Sequence, residues 1–319
     1  ESVMIWPSRK DPYLVSLSYT HLPDNTKLLL YNILIHIGDL NRYLSNNNLA
    51  ESYYQNARKL NVMRGHAYNQ LAIVTSMNSF KCIYYSIRAS KSCEEPTMIA
   101  ESNLKMALNR MNNKLLKKIF HLKMNPKSEN KNENQLEIEV GVEDLPDQGA
   151  DWLYLSVICI YVDNLKPIFK PLINYIMVLS DDKSSSIDNH DLDFAMMSLD
   201  VLIDWITIQG IRKSFADEYA QELRDLKAKF NEINDNENSI GTKFNSTKAL
   251  FHDYVLRGFS LLKEVHSTLE FEKEEELQID RNALQLRLND KIEKIFGKLI
   301  KPKKMRNVAL GSILAKDNV

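Results

Sequence analysis

The sequence contains few of the residues that build tight turns or disulfide frameworks. Nine glycines and nine prolines in 319 residues exclude collagen-like and glycine-rich low-complexity proteins, and they argue against an all-β protein with many turns. Three cysteines cannot form a disulfide framework, which indicates a reducing compartment. The longest apolar run, 152–161, is shorter than the roughly 20 residues that span a bilayer. Residues 1–10 show no signal peptide, so we expect a soluble intracellular protein with no membrane partner.

The charge is close to balanced over the whole chain but not along it. The formal net charge is −1, with 44% apolar residues, enough for one or two cores. Residues 1–123 hold 16 Lys and Arg against 8 Asp and Glu, whereas 124–319 hold 25 against 34. The balance excludes a uniformly basic nucleic-acid binder, and an anionic partner would prefer the first part.

Apolar residues recur every three or four positions, and almost none alternate with the period of two that strands require. The fold class that we predict is therefore all-α. The predicted helices are 28–44, 49–60, 67–76, 80–92, 98–122, 152–179 (interrupted at Pro167 and Pro171), 192–208, 213–233 and 272–300.

The first helices fit a tetratricopeptide repeat of about 34 residues. The repeats would cover about 31–64 and 65–98, with Gly38 against the small-large-small residues Ala50, Tyr54 and Ala57. The polar segment 180–186 is the best boundary, so we predict domains at 1–182 and 187–319.

Enzyme motifs are missing from the sequence. It has no glycine-rich phosphate loop, no Gly-x-Ser-x-Gly, no His-Glu-x-x-His and no Cys-x-x-Cys. The seven histidines are dispersed, without metal-ligand spacing. We therefore predict a protein that is not an enzyme and has no cofactor or bound metal.

One helix carries a pattern typical of anion binding. Lys81, Tyr84, Arg88 and Lys91 are three or four residues apart and share a face of helix 80–92, opposite Phe80, Ile83 and Ile87. Guanidinium and ammonium groups on one stripe suit a phosphate or carboxylate ligand. A solvated basic face would give the same spacing.

Two further residues are candidates for the same site. Asn69 is at a repeat position that usually faces the groove, where its amide would bond a ligand backbone; a local cap is the alternative. Arg42 would bind the ligand, or would pair with Asp39 or Glu51 in a structural role.

Several segments together closely resemble the Est/Smg family, which comprises the telomerase-recruitment subunit Est-one and the mRNA decay proteins Smg-five, Smg-six and Smg-seven. The similarity is strongest to the Smg-seven type. These segments are 34–43, 50–57, 68–72, 83–88 and 102–104, followed by 199–206, 252–262 and 269–271.

The resemblance implies a 14-3-3-like domain built from tetratricopeptide-type helix pairs, followed by a helical-hairpin domain. It also implies a phosphoserine-binding groove, with Arg88 at the family's groove arginine. The implied function is a non-catalytic adaptor in nonsense-mediated mRNA decay that docks the phosphorylated Upf RNA helicase. A related Smg subunit would form a heterodimer with it, and a phosphatase or decay factors would be further partners. The implied location is the cytoplasm, with shuttling to the nucleus.

The same resemblance leaves a second function open. A telomerase recruitment subunit of the Est-one type would bind telomerase RNA and a telomere end-binding protein. The basic segments 114–123 and 301–306 are candidates for direct nucleic-acid contact. Helix ends that are simply exposed to solvent would have the same composition. A nuclease of the Smg-six kind needs an added domain with clustered aspartates, and nothing in this sequence resembles one.

Overall fold

The computed structural model describes residues 22–110, 113–124, 145–146, 148–181, 190–210, 215, 217–236, 247–271 and 279–300. Within these ranges the chain forms helices and connections without a β-strand, so the all-α prediction is confirmed. The helices are α1 Asp24–Tyr43, α2 Asn47–Leu60, α3 Gly65–Val74, α4 Ser79–Ser90, α5 Ile99–Arg110, α6 Lys114–Met124, α7 Gly149–Val162, α8 Lys166–Asp181, α9 His190–Ile208, α10 Ala220–Asn236, α11 Phe251–Leu256, a 3-10 turn Ser260–Leu262, α12 Lys263–His266 and α13 Arg281–Ile300.

The helices α1 to α4 form two closely packed pairs joined by short turns. In the first pair, Gly38 allows α1 to approach the ring of Tyr54 on α2. A Cβ atom at Gly38 would lie 2.4 Å from Tyr54 Cε1, too close for any side chain. Ala50 and Ala57 are fully buried beside Tyr54, as the small-large-small pattern predicts. The pairs α1–α2 and α3–α4 overlap the segments 31–64 and 65–98, although α1 already begins at Asp24. The repeats and their tetratricopeptide and 14-3-3-like character stay predictions.

The predicted long helix 98–122 is wrong in one respect. The structure has two helices, α5 ending at Arg110 and α6 beginning at Lys114. The Asn113 side chain accepts a hydrogen bond from the backbone N–H of Leu116 at 2.9 Å and so caps the start of α6. The first N–H groups of a helix have no partner within the helix, and a capping side chain provides one. The apolar periodicity of the sequence continues across this cap and therefore does not reveal the start of a new helix.

Helix α7 lies at the centre of the molecule. Every residue from Trp152 to Ile160 is buried, and the helix packs against α4, α6 and α9. The break after α7 occurs at Asp163, which adopts a left-handed conformation (φ 62°). Pro167 lies in the first turn of α8, where its missing N–H costs nothing. Pro171 lies inside α8, so the interruption predicted there is wrong.

The C-terminal helices pack around α9, which contacts α7, α8 and α13. Buried residues of these helices form one hydrophobic core with those of α1 to α7. The polar segment chosen as the boundary mostly lies outside the described residues, and the division into 1–182 and 187–319 stays a prediction.

Three connecting segments meet beside the two helix pairs. The backbone N–H of Cys93 donates to Gly258 O at 2.8 Å, and that of Glu94 donates to Met63 O at 3.0 Å. Gly258 has φ +77°, and a Cβ atom there would lie 2.7 Å from Met63 Cα. These contacts join the N-terminal helix pairs to the segment that follows α11. No helix in the described part of the chain is both long and apolar enough to cross a membrane.

Candidate functional site

The stripe predicted on α4 is not a solvent-facing surface. Ile83 and Ile87 are in the core as expected, but Tyr84 and Arg88 on the other side of the helix are also buried. Helix α4 is covered on both sides because it packs against α3, α5 and α7. The solvated-face alternative is therefore wrong for the two central members of the stripe.

Arg88 is 0% exposed, and its guanidinium bonds to the protein itself. Nη1 donates to Leu256 O at 2.9 Å, and Nη2 donates to Tyr68 Oη at 2.9 Å and to Arg257 O at 3.1 Å. The cation also lies 4.8 Å from the ring centroid of Tyr68 and 5.2 Å from that of Phe259. To contact a ligand, Arg88 would have to leave these partners.

The two lysines of the stripe do not converge on one point. Lys81 and Lys91 are ten residues apart at opposite ends of α4, about 15 Å along a helix axis. The Lys91 ammonium lies 3.7 Å from a carboxylate oxygen of Glu101 and 5.9 Å from the ring centroid of Tyr161. Lys91 already has an anionic partner on α5.

Arg42 lies in the last turn of α1 and remains partly accessible, with 23% of its side chain exposed. Its guanidinium is 3.4 Å from both Asp39 Oδ1 and Tyr54 Oη, long distances for such contacts. The Tyr54 hydroxyl donates to Asp39 Oδ1 at 2.7 Å. The pairing with Asp39, one of the two predicted alternatives, is confirmed.

The contacts around Arg42 favour its charged form. Burial lowers the pKa of the Arg42 guanidinium, but hydrogen bonding to Tyr54, Tyr43 and Asp39 raises it above the ordinary value. Burial and the bond to Asp39 raise the pKa of the Tyr54 phenol. The side chain is thus a positioned, permanently charged donor at the edge of the first helix pair.

Asn69 makes a contact that neither predicted role anticipated. It is buried on α3, and its Oδ1 accepts a hydrogen bond from Asn103 Nδ2 on α5 at 2.9 Å. The Nδ2 group of Asn69 has no hydrogen-bond partner among the described residues. The side-chain amides of Asn69 and Asn103 form a pair that connects α3 to α5. We call it the amide pair; within it, the Nδ2 hydrogens of Asn69 are not used by any described residue.

Arg58 is a buried cation that the sequence reasoning missed. It lies on α2, 5% exposed, and its Nε donates to Gln55 Oε1 at 3.0 Å. Within the described ranges it forms no ion pair with a carboxylate. Burial lowers the pKa of Arg58, and interaction with the phenols raises it more, so that the net shift is upward. The phenols belong to Tyr68, Tyr85, Tyr84 and Tyr154. The sequence did contain one indication that Arg58 is buried, because it directly follows Ala57 on the buried face of α2.

A second cluster that the sequence reasoning missed joins three C-terminal helices. Six ionisable side chains meet there: Asp200 and Asp204 from α9, His252 and Asp253 from α11, and Arg287 and Lys291 from α13. His252 Nε2 lies 2.8 Å from Asp200 Oδ2, and Lys291 Nζ lies 2.8 Å from Asp200 Oδ1 and 2.6 Å from Asp204 Oδ1. Arg287 bonds through two nitrogens to the Asp253 carboxylate.

The charges in this cluster offset one another. Burial alone would raise the pKa of Asp200, but Arg287 and Lys291 hold it well below its usual range. Burial also opposes ionisation of Asp253, whose pKa is nevertheless lowered by His252 and Arg287. Burial raises the pKa of Asp204. The cluster is a buried electrostatic connection between helices; in the part of the chain that the structure describes, no His, Cys, Asp or Glu group is arranged to hold a metal ion.

Comparison with known proteins adds two findings. Residues 50–171, from α2 into α8, match the family described as the Est1 DNA/RNA binding domain. A zebrafish (Danio rerio) protein, nonsense-mediated mRNA decay factor SMG7, is 36% identical over 90 residues. Both matches are to the Est/Smg family and support membership of it. The resemblance inferred from its sequence segments is thus confirmed.

The matched region contains α4 with Arg88 and the amide pair, whereas Arg42 lies before it. The alignment with the zebrafish protein covers 28% of this chain and 8% of the relative, so the chain spans a small part of the relative's length. The similarity therefore concerns a group of helices and does not carry over the functions of the whole relative.

Proposed function

We propose that this Est/Smg protein is a non-catalytic adaptor in nonsense-mediated mRNA decay that binds phosphoserine peptides of a phosphorylated Upf-type RNA helicase. Membership of the family supports a decay- or telomerase-related role. The observation that carries the phosphopeptide part is Arg42, a partly exposed guanidinium that is only loosely paired with Asp39 and Tyr54.

A phosphoserine suits this arrangement physically. It carries about −1.5 to −2 charges and three acceptor oxygens at neutral pH. Arginine offers a planar pair of N–H donors to such a group, and these charge-assisted bonds are roughly twice as strong as neutral ones. Because the present contacts of Arg42 are 3.4 Å long, a phosphate can replace them at little cost.

The other predicted site residues have different roles in this proposal. Asn69 would donate its Nδ2 hydrogens, which have no partner among the described residues, to a peptide carbonyl while Asn103 fixes its orientation. Lys81 and Lys91 supply positive potential at the two ends of α4. Arg88 and Tyr84 stabilise the helix pairs from inside, because both side chains are buried.

Titration calorimetry with a phosphoserine peptide from the helicase tail tests the proposal. We expect the phosphorylated peptide to bind at least tenfold more tightly than the unphosphorylated one. Arg42→Ala should remove this preference, and Arg42→Lys should restore only part of it, since a lysine cannot form the two-pronged contact.

The matched control is Arg110→Ala, which removes an exposed arginine from the last turn of α5. This variant should bind the phosphopeptide as the unmodified protein does. Equal affinity for both peptides, or an Arg42→Ala variant with the original preference, would refute the proposal.

A second candidate function is a telomerase recruitment subunit that binds telomerase RNA and a telomere end-binding protein. The observation in its favour is the match to a family described as DNA/RNA binding, together with exposed cations on neighbouring helices. Lys105 and Arg110 on α5 and Lys114 and Lys117 on α6 are all exposed. Nucleic-acid binding through them would weaken steeply with salt, since each phosphate contact releases a counterion.

A competition pull-down separates the two functions. Phosphorylated and unphosphorylated helicase tails and telomerase RNA are offered to the same protein. Retention of the phosphorylated tail supports the decay adaptor, whereas retention of the RNA alone supports the telomerase subunit. Lys114→Glu with Lys117→Glu should abolish only RNA retention.

We further propose a heterodimer with a related Smg-family subunit and a mainly cytoplasmic location with passage through the nucleus. Co-expression with such a subunit, followed by light scattering, tests the first part. Imaging of a tagged protein before and after inhibition of nuclear export tests the second.

A further inference from the structure

Helices α3 and α5 run side by side in the same direction. The backbone N–H of Gly65, the first residue of α3, donates to Glu95 O at 3.3 Å, so the two helices start close together. Asn69 and Asn103 are each the fifth residue of their helix, and they form the amide pair one turn further along. The two contacts together define the register of α3 against α5.

Exposed apolar side chains lie one turn from the amide pair on both helices. Ile73 follows Asn69 on α3 and is 41% exposed. On α5, Ile99 precedes Asn103 and Met106 follows it, and they are 58% and 45% exposed. Each asparagine of the pair therefore has large apolar neighbours that reach solvent.

The rotation of these positions around their helices places them on one surface. Ile73 is rotated by about 40° from Asn69, whereas Ile99 and Met106 are rotated by about 40° and 60° from Asn103 in the opposite sense. Because the two asparagines face each other across parallel helices, opposite rotations bring the apolar side chains to the same side. We call these five residues the amide face. Contiguous exposed apolar surface of this kind marks a contact site.

The amide pair indicates what kind of molecule fits this surface. Asn69 is 6% exposed, and its Oδ1 accepts a hydrogen bond from Asn103, whereas its Nδ2 hydrogens are not used by any described residue. Buried polar groups in proteins are nearly always hydrogen-bonded. We therefore expect the molecule that covers the apolar side chains to bring a hydrogen-bond acceptor with it.

We propose that the amide face binds an extended peptide segment with an apolar side chain, and that a backbone carbonyl of this segment accepts from Asn69 Nδ2. This inference rests on the proposed function, since the segment is taken to continue from the phosphoserine bound at Arg42. In a helical ligand the carbonyls are used within the helix, whereas an extended peptide leaves them free. A nucleic acid would require cations and aromatic rings, and the five side chains of the amide face include neither.

The separation between Arg42 and the amide face sets the spacing within the peptide. Helix α1 runs parallel to α3, because a short turn joins each of them to α2, and the Tyr31 hydroxyl accepts from the backbone N–H of Ala67 at 3.0 Å. Arg42 lies eleven residues beyond this contact on α1 and Asn69 two residues beyond it on α3, a difference of about 14 Å along the helix axes. With about 9 Å between neighbouring axes, the separation is about 16 Å, or about five residues of extended peptide.

Titration calorimetry of the full chain with synthetic peptides tests the proposal. The parent peptide has one phosphoserine within a glycine-serine sequence, and a second peptide also has leucine five residues before and five residues after the phosphoserine. We expect the leucine peptide to bind at least tenfold more tightly than the parent peptide. The double variant Ile73→Ser/Met106→Ser should abolish this difference, because it removes the apolar contact.

The matched control is Val178→Ser, which changes an apolar residue of α8 that is 68% exposed and should keep the tenfold difference. A peptide with photo-leucine in place of leucine locates the site without any protein variant. Its covalent adducts should fall within 65–74 or 99–110. Adducts that map elsewhere, or equal binding of the leucine and parent peptides, overturn the proposal.

The outcomes separate this inference from the proposed function. Equal binding of the phosphorylated and unphosphorylated leucine peptides refutes the proposed function, even where the leucine effect supports the amide face as a peptide site. A phosphoserine preference without a leucine effect retains the proposed function and overturns this inference. Binding of an oligouridine RNA that Ile73→Ser/Met106→Ser weakens assigns the amide face to nucleic acid and also overturns it.

Discussion

Nη1 of Arg88 lies 2.9 Å from the main-chain carbonyl oxygen of Leu256, 168 residues further along the chain. Leu256 is the last residue of α11, where helix carbonyls are left without intrahelical partners. The Leu256 oxygen also accepts a hydrogen bond from the backbone N–H of Phe259 at 3.0 Å, and the guanidinium adds a charged donor to it. Arg88 thus connects the second helix pair to the C-terminal helices.

The first prediction follows from this connection. Arg88→Ala should lower the free energy of unfolding by about 3 kcal/mol, because it removes three hydrogen bonds donated by a charged group and leaves a cavity among buried side chains. Urea denaturation followed by circular dichroism measures the change. Lys81→Ala on the same helix should cost less than about 0.5 kcal/mol, as for most partly exposed positions. An Arg88→Ala protein as stable as the original would show that the connection contributes nothing.

The second prediction concerns the buried charge cluster. Arg287→Ala removes the buried guanidinium that bonds both carboxylate oxygens of Asp253 and lies 3.3 Å from Asp200 Oδ2, so we expect a loss of about 3–5 kcal/mol. Lys294→Ala on the same helix removes an exposed ion pair with Asp290 and should cost less than about 1 kcal/mol. Thermal melts of the two variants give the comparison. Similar melting temperatures would contradict the role assigned to Arg287.

The third prediction is a dependence of stability on pH through His266. Burial lowers the pKa of His266 from its ordinary value of 6.5 to about 4. The unfolded chain therefore binds this proton more readily than the folded one, and stability should fall as the pH drops from 7 towards 4.5. We expect a contribution on the order of 2 kcal/mol over that window. His266→Asn should show a shallower fall in urea denaturation at the two pH values; an identical slope would exclude His266 as the cause.

The fourth prediction tests the contact between Gly38 and Tyr54. Gly38→Ala should gain about 0.5–1 kcal/mol of helix propensity but lose about 1–3 kcal/mol by overpacking. The loss should prevail, since the Tyr54 ring is fixed by its hydrogen bond to Asp39 and cannot move away. Asn32→Ala, at an exposed position of α1, is the control and should not destabilise the protein. A more stable Gly38→Ala protein in denaturant titrations would show that the helices can separate freely.

Much of the helical framework could be predicted from the sequence. Apolar spacing identified α1 to α4 within a few residues and placed Ile83, Ile87 and Tyr54 in the core, because a helical period depends only on local order. The division between α5 and α6 was missed because it depends on the Asn113 cap. Pro171 was wrongly read as an interruption, although α8 contains it.

The candidate site was harder to predict than the helices. The spacing of the residues correctly predicted a row along α4, formed by Lys81, Tyr84, Arg88 and Lys91. It did not predict that Tyr84 and Arg88 are buried. Arg58 and the Asp200–Arg287 cluster were not singled out, since their partners come from helices distant in the chain. Family membership, by contrast, followed from short segments whose order along the sequence is itself specific.

The sequence by itself determined that the chain is helical, which residues of each helix are apolar, and which family it resembles. These properties follow from local periodicity and from residue order. Only the tertiary structure decided that Arg88 is enclosed and that Arg42 keeps an accessible guanidinium. The environment of a charged side chain depends on which distant segment packs beside it: the Leu256 carbonyl meets Arg88, whereas no described segment encloses Arg42.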